Sequence, residues 1–384
     1  MSEIGPTFLI VACEASADLH GARVIEAVRQ RLPGARFVGV GGDACEAAGA
    51  ILVAHARELG LMGFSDVIFA LPRVLRILRR VVDTAEVEQV SAALLIDAPD
   101  FNLRVARRLA PSGVPVVYFI SPKLWATRQG RSELVKRFVR RMLVIFPFEV
   151  EFYRQRGVQA EYVGNPVVEQ MADRYDRASA RALLGVGPDE KMVAMLPGSR
   201  RGEIRRIAPA LGEAARVLQQ DGVRILVPRA PTVERDLLEK ALGNAPVEIV
   251  EGKAREVLAA ADAAAVAAGT ATLEAAMVDV PTVMVYRVSW FSHLIYRLIL
   301  RTPFLSLINI IARRQVIVEL WQKALRGVEV AGQLRRLLGG EDRTKMLEAY
   351  AQIRNELGRR DTAARVASVL IEEGSRKTGN VPRT

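Results

Sequence analysis

Three short stretches carry residue types that do chemistry when a fold gathers them. In CEASADLHG, residues 13–21, Glu14 and Asp18 stand where an apolar run gives way to a helical pattern. A carboxylate placed there either caps the helix or binds substrate hydroxyls. In IDAPDFN, residues 96–102, Asp97 and Asp100 flank a proline just after another apolar run. A carboxylate at a cleft-facing strand end suits a general base that takes a proton from a hydroxyl. The competing reading is an Asx-turn or N-cap, of equal weight for Asp97 and heavier for Asp100. In LPGSRRGEIRR, residues 196–206, an apolar run meets a Pro-Gly turn and then four arginines. The backbone N–H groups of a helix N-terminus, with Ser199 and Arg200 beside them, make an anion site. Arg205 and Arg206 read as a solvated basic face, while Gly198, Ser199 and Arg200 favour phosphate.

A fourth stretch has the same grammar. In AAGTATLEAAMVDVP, residues 267–281, Gly269 follows an apolar run, Thr270 can cap, and Glu274 lies one turn into the next helix. Small residues permit close approach of a ligand to the backbone, and the carboxylate can accept hydrogen bonds from a ribose diol. The plain alternative, a capping box, misses its spacing by one residue. With the Pro-Gly-Ser-Arg turn, this motif points to a nucleotide whose diphosphate and ribose are both addressed. SPKLWATRQGR, residues 121–131, adds Lys123, Trp125 and Arg128, by itself a loop with an aromatic anchor. The chain has no GxxxxGK[ST] and no GxGxxG, which disfavours kinase, ATPase and simple dinucleotide chemistry.

The elements that must position these residues follow from alternation. Apolar runs at 7–12, 35–40, 92–96, 114–120 and 141–146 read as buried strands, with helical patterns between several of them. The signature repeats at 192–196, 223–228, 247–250, 263–268 and 281–286. Such alternation predicts an α/β fold of two doubly wound, Rossmann-like parallel sheets, with ligands in a cleft at the carboxyl ends of the strands. The expected boundaries are 1–168 for the first domain, 169–190 for a linker and the entry to the second domain, and 191–345 for the second domain. Residues 346–373 read as C-terminal helices that can cross back to the first domain, and 374–384 as a disordered tail.

Composition narrows the partners. The chain has 384 residues, with 54 Lys and Arg against 43 Asp and Glu, a formal net charge of +11. That excess points to an anionic partner: nucleic acid, an acidic membrane or a phosphate-bearing substrate. Low aromatic content and dispersed basic residues disfavour nucleic acid. Two cysteines and three histidines, widely spaced, make a structural zinc site or a disulfide framework improbable. The N-terminus reads as a first strand without a signal peptide, and no window reaches the roughly 18 apolar residues of a membrane span. A cytoplasmic protein that can touch a membrane is the expectation. Leu71, Val74, Leu75, Leu78, Val81 and Val82 alternate with Arg73, Arg76, Arg79 and Arg80 as a basic amphipathic helix. That pattern fits an anionic membrane surface, or a core helix with a charged outer face. The apolar stretch 290–311 reads as buried, as a homodimer contact or as a surface for acyl chains.

Taken in order, CEASADLHGA, ARFVGVGG, LGLMGFSDV, IDAPDFN, YFISPKLWA, FPFE, LPGSRRGEI, GTATLEAA and NIIARRQVIVELWQ resemble the lipid-A-disaccharide synthase family across nearly the whole chain. The resemblance implies the two-domain glycosyltransferase-B fold. It also implies an inverting transfer of 2,3-diacylglucosamine from its UDP derivative to the 6-hydroxyl of 2,3-diacylglucosamine 1-phosphate, without a covalent intermediate, a bound metal or another cofactor. The alternative is another enzyme of this fold acting on a UDP-amino sugar, with a different lipid acceptor or as an epimerase. By resemblance, Asp97 is the base, with Glu14 and Asn309 in the active site. The UDP-sugar would use Gly198, Ser199, Arg200, Gly269, Thr270, Glu274 and Arg313. The acceptor and its lipid would use Ser16, Trp125, Arg128, Val74, Leu75 and Leu78. The protein would sit peripherally on the inner face of the inner membrane.

The chain departs from the family pattern at several places. Cys13 and Ala17 stand where the family has glycines, Thr127 for a tryptophan and Asn165 for a histidine. Ile308 and Arg313 replace a proline and a glycine, and Val318 a proline. Losing two glycines beside Glu14 is expected to alter that loop, because a Cβ penalises positive φ. These changes bear on acceptor selectivity and loop geometry more than on reaction type.

Overall fold

The structure, a computed structural model, describes residues 5–60, 67–127, 129–171, 175–290 and 302–378. The chain divides into two compact units, Met1–Pro166 with Arg359–Thr384, and Val167–Gly358.

In the first unit β1 (Thr7–Ala12), β2 (Arg36–Gly41), β3 (Ile51–His55), β4 (Ala92–Ile96), β5 (Val116–Phe119), β6 (Arg141–Val144) and β7 (Ala160–Tyr162) form one parallel sheet. Its order is β3-β2-β1-β4-β5-β6-β7. The central strands β1, β4, β5 and β6 are buried on both faces, as an all-parallel sheet requires. Successive residues of β1 serve two cores: Leu9 and Val11 join one, Phe8, Ile10 and Ala12 the other. The second core is completed by the helix Thr362–Thr378, whose Val366, Ala367, Val369 and Leu370 are buried in it.

In the second unit β8 (Met192–Leu196), β9 (Arg224–Arg229), β10 (Glu248–Glu251), β11 (Ala263–Ala267), β12 (Thr282–Tyr286) and β13 (Glu319–Trp321) form a second parallel sheet, ordered β10-β9-β8-β11-β12-β13. Both sheets begin in the middle, wind outward for two strands, then cross to the other side of the first. The reversal falls between β1 and β4 in one unit and between β8 and β11 in the other. Ligands of open parallel sheets bind outside the carboxyl ends of the strands at that reversal.

Several boundaries differ from the sequence reading. Within the stretch 169–190, Arg177 and Arg181 of the helix Arg177–Leu183 donate to the carbonyls of Ala261 and Ala260 at 2.8 Å, which packs this domain entry onto the second unit. The helix Gly340–Leu357 buries Met346, Ala349, Tyr350, Ile353 and Leu357, so the second unit runs beyond residue 345. The return to the first unit comes at Arg359. Residues 374–378 continue the last helix instead of belonging to a disordered tail. Gly374 lies against Phe8 and Ser91, too close to admit a Cβ, which explains a glycine inside that helix. Strands β3, β7 and β13 are short and only partly buried, so their apolar signal in the sequence is weak.

Candidate functional site

In the first unit the reversal brings two acidic motifs together. β1 and β4 pair with Ala12 opposite Ile96, so Glu14 and Asp97, just beyond each strand, stand at the same end of neighbouring strands. Glu14 is exposed and occupies the N-cap of the helix Ala15–Arg31 without giving its side chain to the cap. Its carboxylate is therefore not spent on the helix. Asp97 is half-buried, and its carboxyl is held above the ordinary carboxylate range, first by burial and then by the charge of Glu14. The N–H of Ala98 and the ammonium of Lys123 pull it partly back. Cys13 beneath them is buried, and its thiol is pushed up to about 12 by burial and by Glu14 and Asp97. An inert thiol fits a packing role.

Backbone geometry fixes where Asp97 points. Asp97 and Ala98 both have positive φ, 50° and 44°, and the helix Pro99–Leu109 begins at the next residue. A strand-to-helix turn this short projects the intervening side chain from the end of the sheet. Asp100, by contrast, lies exposed in the first turn of that helix and pairs with Arg131 at 2.7 Å, the helix-start reading. Asp18 is also structural. Its carboxylate accepts from the N–H groups of Gly42 (2.7 Å), Ala44 (3.0 Å) and Cys45 (3.0 Å) at the start of the helix Asp43–Ala47. Burial would raise that carboxyl, but these bonds and the Cys45 thiol outweigh it and hold it low.

In the second unit the reversal brings the two glycine turns together. β8 and β11 pair with Leu196 opposite Val266, so Gly198 and Gly269 follow adjacent strands. Gly198 has φ 108°, and a Cβ there would fall 2.4 Å from Glu203 Oε2. Gly269 has φ 148°, with nothing within 4 Å of an added Cβ, so backbone conformation alone demands glycine. Glu203 accepts from the N–H groups of Ser199 (3.1 Å) and Arg200 (3.2 Å), and Thr232 donates to the Ser199 carbonyl at 2.7 Å. The turn is thus shaped by an internal carboxylate on the very donors that the sequence reading reserved for phosphate. Arg200 projects its guanidinium into solvent, 83% exposed, with only a 3.4 Å contact to Glu203. Glu274 is held at its Oε1 by Arg255 Nε (3.0 Å) and Nη2 (2.9 Å). Arg255 is itself tied to Gln170 at 2.7 Å. Among the described residues no group of three or more His, Cys, Asp and Glu side chains could hold a metal ion.

The sequence profile of the lipid-A-disaccharide synthetase family matches residues 8–371. The lipid-A-disaccharide synthase of Myxococcus xanthus (strain DK1622) is 44% identical over 373 residues, covering 96% of this chain and 97% of that one. The chain belongs to this family. Its fold is that of glycosyltransferase B. A calicheamicin glycosyltransferase, CalG4, superposes with a TM-score of 0.61 at 15% identity, covering 98% of this chain and 99% of that one. MnaA of S. aureus, in its UDP co-structure, gives 0.65 at 11% identity, covering 99% and 98%.

Several residues expected at a lipid-A-disaccharide synthase site are buried or bonded within their own unit. Asn309 is fully buried. Its Oδ1 accepts from the N–H groups of Val316 (2.7 Å) and Ile317 (2.9 Å), and its Nδ2 donates to Ile317 O (2.9 Å) and Glu319 (2.8 Å). All its hydrogen-bonding capacity is used inside the unit. It therefore shapes the loop after the helix Leu307–Ala312. Trp125 is likewise buried, with its indole N–H given to Glu149 at 3.1 Å, so it anchors its loop from below. Val74 and Leu78 lie in the core of the first unit, because the helix Val67–Val87 turns that stripe inward. Leu75 remains outside with Leu71, beside exposed Arg76, Arg79 and Arg80. Ser16 is exposed in the first turn of its helix, and Thr270 is exposed at the start of the helix Thr270–Met277. The helix cap is made by Gly269, whose carbonyl accepts from the hydroxyl of Thr272 at 2.8 Å.

Arg313 ends the helix Leu307–Ala312 at φ 53° and lines a cavity of about 400 Å³ with Arg314, Gln352 and Glu356. That left-handed backbone is why a glycine suits the position in the family pattern. Cys13 and Ala17 tell the opposite story: neither has positive φ, so their Cβ atoms impose no left-handed strain on that loop. Arg128 and the apolar residues 291–301 lie outside the described residues. Among the described residues no helix is long and apolar enough to cross a membrane.

The residues that sequence reasoning passed over are mostly supports. Glu149 accepts from Ser121 Oγ (2.6 Å), Trp125 Nε1 and Phe146 N (3.1 Å), and burial raises its carboxyl to about 7. FPFE and SPKLWA were visible as motifs, but nothing in a sequence says that one holds the other. Arg255 gave no signal at all, being one arginine among many.

Proposed function

We propose that this chain joins two acylated glucosamines. It moves 2,3-diacylglucosamine from its UDP derivative to the 6-hydroxyl of 2,3-diacylglucosamine 1-phosphate by one in-line displacement, releasing UDP. The observation that carries the reading is the Glu14 and Asp97 pair at the reversal of the first sheet, with Asp97 half-buried and held above its ordinary range. A carboxylate of raised basicity at a sheet end removes the 6-hydroxyl proton as the new glycosidic bond forms. Glu14, exposed and uncommitted to its helix, sustains that basicity and can bind acceptor hydroxyls.

The glycine turns of the second unit would hold the donor. Arg200 meets the charge that develops on the departing diphosphate, a term that acts in the transition state. Glu274, oriented by Arg255, accepts from the ribose hydroxyls. Because Glu203 already fills the Ser199 and Arg200 N–H groups, the side chain of Arg200 supplies the main attraction there. The acyl chains fit a peripheral position on the inner face of the inner membrane. Leu71 and Leu75 would enter the interface, with Arg76, Arg79 and Arg80 facing anionic headgroups.

The test is a UDP-release and product-mass assay with both diacylated substrates and no added metal, comparing wild type with Asp97→Asn. Acceptor-dependent disaccharide phosphate, lost in the variant, supports the reading. UDP release without disaccharide, or a 2-epimerised UDP-sugar, from folded protein would overturn it.

A further inference from the structure

A pair of left-handed residues in the first unit lies under its proposed base. Two consecutive residues other than glycine, Asp97 and Ala98, occupy the left-handed region at φ 50° and 44°. Asp tolerates that region better than most residues, but Ala98 has no polar side chain to compensate for its Cβ. Such a conformation persists only where surrounding groups enforce it, and it concentrates at sites of function. Two groups do so here. Asn102, fully buried, donates through Nδ2 to the carbonyls of Ile96 (3.0 Å) and Asp97 (2.8 Å). Tyr118 of β5, also fully buried, donates its hydroxyl to the same Asp97 carbonyl at 2.5 Å.

The cost of keeping Asn102 is visible. Its Oδ1 is buried and finds no partner among the described residues. A buried acceptor left unsatisfied is unfavourable, and leucine would fill the same space without one. The position therefore has use for the amide's donors. Those donors converge on the two carbonyls that flank the left-handed turn. They come from one helical turn downstream and, in Tyr118, from the adjacent strand, so the Asp97 peptide is gripped from two independent elements.

We infer that Asn102 and Tyr118 are positioning residues for the transfer reaction, holding the left-handed Asp97–Ala98 turn so that the Asp97 carboxylate points out of the sheet end at the acceptor. The inference rests on the reading of Asp97 as base. Neither residue touches substrate in this account. Loss of the grip lets the turn relax toward ordinary φ, which swings the carboxylate away from the acceptor and into water. Binding of either substrate is left nearly intact, because the groups that recognise them are elsewhere.

The test uses the full chain, purified and checked for folding by thermal melting, with steady-state kinetics on the two diacylated substrates. Asn102→Ala should lower kcat by about 10- to 100-fold with both KM values nearly unchanged, the scale of a misplaced catalytic group. Tyr118→Phe, which removes one oxygen from a buried ring, should lower kcat by about 3- to 10-fold, the worth of one hydrogen bond. The acid limb of kcat/KM should move to lower pH in both. A carboxyl released into water titrates closer to its ordinary value, and titration of the substrate phosphates cancels between variant and wild type. Ala98→Gly, added to Asn102→Ala, should restore part of the lost kcat, because glycine adopts positive φ without the Cβ penalty.

A purely structural role would lower the melting temperature but leave kcat per folded molecule and the acid limb in place, and that result overturns the inference. If Asn102→Ala does not fold, Tyr118→Phe carries the same readouts. Asp97→Asn is measured alongside. An active Asp97→Asn enzyme removes the base reading and the inference with it. An inactive one, beside Asn102→Ala and Tyr118→Phe enzymes with wild-type kcat and acid limb, removes the inference alone.

Discussion

The ends of the two sheets solve the same topological problem with different materials. In the first unit the turn after β4 is made of Asp97 and Ala98, left-handed without glycine, and the turn after β5 places Ile120 at φ 63°. Carboxyls there are shifted: half-buried Asp97 upward, buried Glu149 to about 7. In the second unit the turns after β8 and β11 use Gly198 and Gly269, and Arg200 and Thr270 face solvent. Strained backbone with raised carboxyls suits proton transfer, where a small displacement is costly. Relaxed glycine turns with an exposed guanidinium suit reversible binding of a charged nucleotide. The contrast fits the proposed reading, in which chemistry falls to one unit and donor recognition to the other.

Changes in the first unit should therefore strike kcat and the pH profile. We expect the largest effect from Asp97→Asn, a loss of about 10²- to 10⁴-fold in kcat with melting temperature nearly unchanged, read by product mass. In wild type the acid limb of kcat/KM should lie above the ordinary carboxylate range. The base acts ionised, so activity falls as pH drops through its raised pKa. An Asp97→Asn enzyme with more than a tenth of wild-type kcat would break the comparison.

In the second unit Arg200→Ala should cost about 10²-fold in kcat/KM for the UDP-sugar, since it removes one donor from the leaving diphosphate. Arg255→Ala should raise KM for the UDP-sugar by about tenfold, with kcat little altered, by freeing Glu274. A pH-profile change in either variant would show that the division of labour between the units is wrong.

Two smaller expectations concern supports. Asn309→Leu should destabilise the protein by about 2–4 kcal/mol in denaturant melts, because it strands the N–H groups of Val316 and Ile317. Glu149, with its pKa raised from 4.5 to about 7, favours the folded state fully below pH 4.5, and that contribution is lost as pH rises to about 7. Thermal stability should thus fall between pH 5 and pH 8 by an increment that Glu149→Gln abolishes, of order 3 kcal/mol. The smallest effect should come from Leu71→Ser with Leu75→Ser: weaker binding to anionic vesicles with soluble kinetics unchanged. Equal vesicle binding by a folded variant would remove the membrane role of that face.

Most central strands could be read directly because an all-parallel sheet buries both faces, leaving uninterrupted apolar runs such as AALLI and MVAML. Edge strands could not, since four of the five residues of Ile51–His55 and all three of Ala160–Tyr162 escape full burial. The helix Val67–Val87 shows the limit of periodicity. Its apolar stripe was plain, but whether it meets lipid or the core depends on what packs against it, and Val74 and Leu78 went inward.

By itself, the sequence determined the residue types at each strand end: an acid after β1, an acid after β4, glycine turns after β8 and β11. Those follow from local rules of strand, turn and helix start, which act within a few residues. Only the tertiary structure decided which strand ends are neighbours, and so that Glu14 raises Asp97 while Asp18 is consumed at a helix start. It alone decided that Asn309 and Trp125 are buried supports, and that Asn102 and Tyr118 grip the Asp97 peptide. Hydrogen bonds and charges act over a few ångströms of space, whatever the distance along the chain.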